Sequence, residues 1–128
     1  MGFSGDAVTN GGNFDVSSEA TISFTGTTAN AETNTPENKV VVVTDGGDIA
    51  VNAVRGSTGT TSVEVVNAVL DASDKATDGT ANGNVKIKAE TKTETYSWAI
   101  GMESVAEIDI EKSEITGDNV NIFASASN

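Results

Sequence analysis

Gly83-Asn84-Val85-Lys86-Ile87-Lys88-Ala89 is the stretch on which the reading of this chain turns. From Val85 to Ala89 apolar and polar residues alternate, the side-chain period of a strand with one buried face. The Gly-Asn pair in front of it marks a sharp change of chain direction. The same arrangement recurs as Gly12-Asn13-Phe14-Asp15-Val16-Ser17-Ser18, as Gly47-Asp48-Ile49-Ala50-Val51-Asn52-Ala53, and as Asp118-Asn119-Val120-Asn121-Ile122-Phe123-Ala124. Phe14 to Ile49 is a step of 35 residues, Ile49 to Val85 one of 36, and Val85 to Val120 one of 35. A fixed period of this size is the signature of stacked repeats.

Stacked in register, Phe14, Ile49, Val85 and Val120 form one inward ladder. Val16, Val51, Ile87 and Ile122 form a second, and Ser18, Ala53, Ala89 and Ala124 a third, whose small side chains let the wall bend. Phe123 alternates outward and is expected to contact a further coil or loop. Asn13, Asp48, Asn84 and Asn119 make a corner ladder, because Asn and Asp tolerate left-handed backbone and can hydrogen-bond from one repeat to the next. The last copy has Asp118 in place of the corner Gly, with Gly117 one position earlier. Further strand-like runs lie at Ala20 to Phe24, Lys39 to Val43, Ser62 to Val66 and Val105 to Ile110, and Ile115 joins two turns at Lys112-Ser113 and Gly117-Asp118. A half-period of 18 residues fails, since it carries Phe14 to Glu32 and Val85 to Glu103.

These patterns predict an all-β fold, a right-handed parallel β-helix (solenoid) of about 35 residues per coil with long corner loops. Residues 1–128 form a single segment with repeats near 12–46, 47–82, 83–117 and 118–128. Loops are expected at Thr25 to Asn38, Arg55 to Thr61, Ser73 to Asn82 and Thr91 to Met102, and Val65 to Lys75 is the best candidate for a helix. Met1 and Gly2 read as additions to a natural chain, and both ends read as cuts in a longer protein whose export signal lies elsewhere. A β-sandwich binding module is the competing architecture; it would pair the strands antiparallel, whereas stacked coils pair Ile49 with Val85 in parallel.

Composition narrows the function. Nineteen Asp and Glu face seven Lys and Arg, a formal charge of −12 that opposes nucleic-acid partners and adsorption to anionic lipid. No run approaches the apolar length that inserts into a membrane. The absence of cysteine and histidine removes disulfides, thiolate metal sites, cysteine nucleophiles and histidine triads. Apolar residues make up 37% of the chain and aromatics 5%, so order has to come from repeat stacking instead of a large aromatic core.

The pattern Ile108-x-Ile110-x-x-Ser113-x-Ile115 followed by Gly117-Asp118-Asn119-Val120-x-Ile122-x-Ala124 resembles the shaft repeats of large Gram-negative secreted adhesins. Filamentous haemagglutinin-like proteins, leukotoxin-type filamentous adhesins and autotransporter passengers share this repeat chemistry. The resemblance runs from Gly12 onward and implies a β-helix rod, secreted or held at the bacterial cell surface, that serves cell adhesion and virulence rather than catalysis. Shaft coils in these families are often shorter and more regular than this period, a difference that long corner loops would absorb. The implied partners are a host cell-surface glycan or protein and the adjacent coils of the parent protein.

Tyr96 and Trp98, the single Tyr and the single Trp, stand together in a long loop and are the candidate ligand-binding residues. Clustered aromatics stack on sugars or anchor a protein partner, while the plainer reading has Trp98 covering a coil edge. Asp45-Gly46-Gly47-Asp48 and Asp71 to Asp78 gather carboxylates of the kind calcium prefers, but match neither the glycine-rich nonapeptide nor an EF-hand loop, so neither a metal nor a cofactor is expected. Parallel β-helices also host polysaccharide lyases with paired carboxylates. Here the outward positions are Asp15, Ala50, Lys86 and Asn121, which supply no such pair, so a carbohydrate-active enzyme fragment is only the alternative reading and no catalytic residues are expected.

Overall fold

The computed structural model describes residues 1–56, 59–74, 82–92 and 104–127. Among these residues twelve strands follow one another: β1 (Gly2–Phe3), β2 (Asp6–Val8), β3 (Phe14–Ser18), β4 (Thr21–Thr25), β5 (Val40–Val43), β6 (Ile49–Arg55), β7 (Gly59–Val66), β8 (Ala68–Asp71), β9 (Val85–Lys92), β10 (Ser104–Glu111), β11 (Glu114–Thr116) and β12 (Val120–Ser127). Among the described residues there is no helix. The strands form three four-stranded sheets: β1-β4-β7-β10 (sheet 1), β2-β5-β8-β11 (sheet 2) and β3-β6-β9-β12 (sheet 3). Every pairing between these strands is parallel. The chain therefore visits sheets 1, 2 and 3 in that order four times, and each pass lies beside the one before it.

Sheet 3 carries the ladders expected from the repeat. Phe14 pairs with Ile49, Ile49 with Val85 and Val85 with Val120, and the other two inward ladders hold the same register. Parallel pairing of Ile49 with Val85 excludes the antiparallel sandwich. Alternate residues of all three sheets share one core: Ile22, Phe24, Val63 and Val65 from sheet 1, Val40, Val42, Ala68 and Leu70 from sheet 2, and Ile49, Val51, Val85 and Ile87 with Ala53 and Ala89 from sheet 3. A fully buried Val, Ile, Leu or Phe contributes about 1.5–3 kcal/mol, so a core of aliphatic side chains suffices without many aromatics. Phe3 and Phe14 of the first pass gather with Phe24 of the second, the Phe3 and Phe24 rings stacking at 4.9 Å and Phe14 meeting Phe3 edge-on at 6.0 Å.

The turn from sheet 2 to sheet 3 repeats in successive passes. Thr9-Asn10-Gly11-Gly12-Asn13 and Thr44-Asp45-Gly46-Gly47-Asp48 adopt the same course, with Asn10 and Asp45 left-handed (φ 52° and 51°) and Gly11 and Gly46 following at 98° and 99°. Each threonine hydroxyl donates to the carbonyl three residues on, Thr9 to Gly12 and Thr44 to Gly47. The left-handed residue is thus three positions ahead of the one expected: Asn13, Asp48, Asn84 and Asn119 are not left-handed, and the Asn or Asp before the Gly pair takes the strain. Their role as hydrogen-bonding rungs does hold. The Asp48 N–H donates to Asn13 Oδ1 (3.0 Å), the Asn84 N–H to Asp48 Oδ1 (2.9 Å), and Asn119 Nδ2 to Asn84 Oδ1 (3.3 Å).

Two other expectations are corrected. Val65 to Asp74 is not helical but strand, turn, strand, because Asn67 takes φ 51° and reverses which face the side chains present; its Nδ2 donates to the Thr27 carbonyl at 2.6 Å. Two corner loops are also shorter than the Thr- and Gly-rich composition suggests. Arg55, Gly59 to Thr61, Thr91 and Lys92 belong to strands, and buried Thr61 and Thr91 satisfy each other through a hydroxyl contact of 2.5 Å. Thr27 to Asn38 makes a small antiparallel excursion held by bridges Thr27–Asn38 and Asn30–Thr35.

Candidate functional site

The outward residues of sheet 3 form two rows fixed by strand register. One row runs Asp15, Ala50, Lys86, Asn121, and the next runs Ser17, Asn52, Lys88, Phe123. Strand β9 holds Lys86, Lys88 and Lys92, three of the seven basic residues of a chain with net charge −12. Across the molecule, sheet 1 presents the opposite character, with Glu64, Glu107, Asp109 and Glu111 exposed on β7 and β10. Charge is therefore sorted by face.

The two central lysines are held differently. Lys88 Nζ lies 2.9 Å from Glu90 Oε2 and 5.6 Å from the centre of the Phe123 ring. That hydrogen bond, reinforced by the charges of Lys88 and Lys92 against a small effect of burial, holds the Glu90 carboxyl below its ordinary value. Lys86 is exposed, sits between the neutral side chains of Ala50 and Asn121, and has no ion-pair partner among the described residues. The short side chain of Ala50 leaves a depression of about 350 Å³, with Lys86 and Asn121 on one side and the Asp48, Asn84 and Asn119 rungs on the other. A depression of this size lies at the small end of ligand sites, about 300–1,000 Å³.

Phe123 is 42% exposed and lies on β12 two residues beyond Asn121, outside the lining of the depression. It does point outward, as the alternation implies, and the contact it makes is with Lys88 in the preceding pass. Tyr96 and Trp98 lie outside the described residues. Of the carboxylates weighed for calcium, Asp48 spends one oxygen on the Asn84 N–H, and Asp71 Oδ1 accepts from the Ser73 amide and hydroxyl, at 2.9 and 2.5 Å. No group of three or more metal-ligating side chains gathers among the described residues.

One carboxylate pair does line up on neighbouring passes, on a face the sequence pattern left unassigned: Asp109 is the lateral neighbour of Glu64 in sheet 1. Both are exposed, and Glu64 Oε2 accepts a 3.4 Å hydrogen bond from the Ser23 hydroxyl. Searches of family models, characterised proteins and solved structures yield no match to this chain.

Proposed function

We propose that the three sheets are the faces of a right-handed parallel β-helix and that the chain is a shaft segment of an extracellular bacterial adhesin. It carries no catalytic step of its own and acts by reach and display. The observation that carries this reading is the unbroken lateral register of sheet 3 over four passes, which makes each period an interchangeable layer. Right-handedness follows from the strong preference of connections between parallel strands for that hand. Val120 and Ile122 occupy inward ladder positions and are 41% and 42% exposed, so the layer of β10, β11 and β12 presents apolar surface at its edge.

The test places the chain on bacteria between an outer-membrane anchor and a mannose-binding tip, and reads attachment to mannose-coated beads together with surface level. Deletion of residues 49–84 removes one 36-residue period and joins Asp48 to Val85, so a shorter rod should still display the tip. Deletion of residues 49–66 removes 18 residues, misphases every ladder above it and should abolish display, as should Val85→Asp, which buries a charge without a partner. Equal attachment by all three variants would contradict the reading. Release of unsaturated product from an acidic polysaccharide by the chain would favour the lyase-like alternative, with Glu64 and Asp109 as the pair to substitute.

A further inference from the structure

We infer that the outer face of sheet 3 binds an anionic saccharide, with Lys86 as the charge that reads it, Asp48, Asn84 and Asn119 as a polar ridge, and Asn121 and Phe123 as the opposite flank. The inference rests on the display reading, for which it supplies the surface being displayed. Lys88 is committed to Glu90. Lys86 instead stands between Ala50 and Asn121, over the depression that Ala50 opens. An anion seated there meets the Lys86 ammonium, which makes no ion pair with a described residue, on the side of the depression away from the Asp48 carboxylate.

The rest of the surface points to a sugar rather than to a bare anion. Asp48 and Asn84 each commit Oδ1 to the neighbouring pass, which leaves Asp48 Oδ2 and Asn84 Nδ2 as an acceptor and a donor side by side along the ridge. Paired acceptors and donors on a rigid frame suit vicinal hydroxyls, each of which both gives and takes a hydrogen bond. Phe123 adds an exposed ring, braced by Lys88, on which the C–H face of a pyranose can lie. Nucleic acid fits poorly, since a long run of phosphates would extend past the lysines of β9 onto the rest of a molecule of charge −12, whereas a short oligosaccharide stays on this face.

Titration of the 128-residue chain with hexagalacturonate, followed by amide chemical shifts, tests the site. Saturable shifts are expected in β9 and β12, and fully methyl-esterified hexagalacturonate, which is neutral, should bind far more weakly. A heparin hexasaccharide in a parallel titration tells sulfate from carboxylate, and binding of either at these strands supports the site. Lys86→Gln and Phe123→Ala should each weaken binding by roughly tenfold, the loss of about one charged or stacking contact, with Lys86→Arg restoring it. Lys39→Gln, which removes the same charge at an exposed position beside Glu37, should have no effect. No saturable shifts from a folded chain with either anionic sugar would overturn the site, as would equal binding of the ester or equal damage from Lys39→Gln. Such a result leaves the display reading intact, whereas failure of the period deletion would remove that reading without altering a positive titration.

Discussion

At Gly83 a single hydrogen in place of a methyl group decides whether two passes can touch. A Cβ built there would run into the Gly47 carbonyl, and one on Gly47 would run into the Gly12 carbonyl. Gly47 and Gly83 are therefore needed for close approach of one turn to the next, whereas the positive-φ backbone falls to Asn10 and Asp45 and the glycine after each. Gly83→Ala is expected to destabilise by about 1–3 kcal/mol, the usual cost of overpacking. Gly56→Ala, where a methyl meets open space, should change stability by less than about 0.5 kcal/mol. Urea unfolding midpoints of the two variants check this, and equal midpoints would remove the close approach as the reason for the ladder. The sequence shows that Gly recurs in front of the Asn or Asp in three of the four copies, but not which of two conformational demands it answers, because both favour the same residue.

Among the elements, sheet 3 was the legible one. Its strands are five to eight residues long, alternate cleanly and are announced by a turn. β1 and β2, at two and three residues, are too short for alternation to register, and Gly2, read from sequence as an addition, pairs with Ser23. β8 was hidden because Val65 to Leu70 reads as one apolar run until Asn67 turns the chain and changes the facing of the residues after it. The outward row of Asp15, Ala50, Lys86 and Asn121 was also visible in the sequence. Only the depression over Ala50 and the lack of an ionic partner for Lys86 give that row a chemical meaning. β9 itself yields a pH prediction. Because Lys88 lowers the carboxyl of Glu90 in the folded chain, the stabilisation this pair supplies is complete at neutral pH, above the unfolded value, and is lost as pH falls through the lowered folded value. A carboxyl-carbon NMR titration should show Glu90 below the ordinary glutamate range, and Lys88→Met should bring it back. An unchanged Glu90 titration in that variant would show that Lys88 is not the cause.

For the whole molecule, faces differ in charge while passes repeat in shape. Sheet 1 collects exposed carboxylates and sheet 3 collects lysines, so the net charge of −12 is a sum over unlike surfaces and not a uniform coat. Stability of such a stack is distributed over layer-to-layer contacts, which is why removal of a whole period is expected to be milder than removal of half of one. The core is shared by all three sheets, so no layer buries its apolar face without its neighbours. All of this depends on one geometric claim, that residues about one period apart are direct parallel neighbours. The chain has no cysteine of its own, so introduced pairs report on it cleanly. With Asn52→Cys and Lys88→Cys together, outward neighbours in the register of β6 and β9, mild oxidation should close a disulfide in the folded chain, since directly paired Cα atoms lie within bridging range. Asn52→Cys with Lys86→Cys, displaced by two residues, should remain reduced under the same conditions. Rapid closure of the first pair and not the second is what parallel stacking predicts; the reverse preference, or no closure in either, would contradict it.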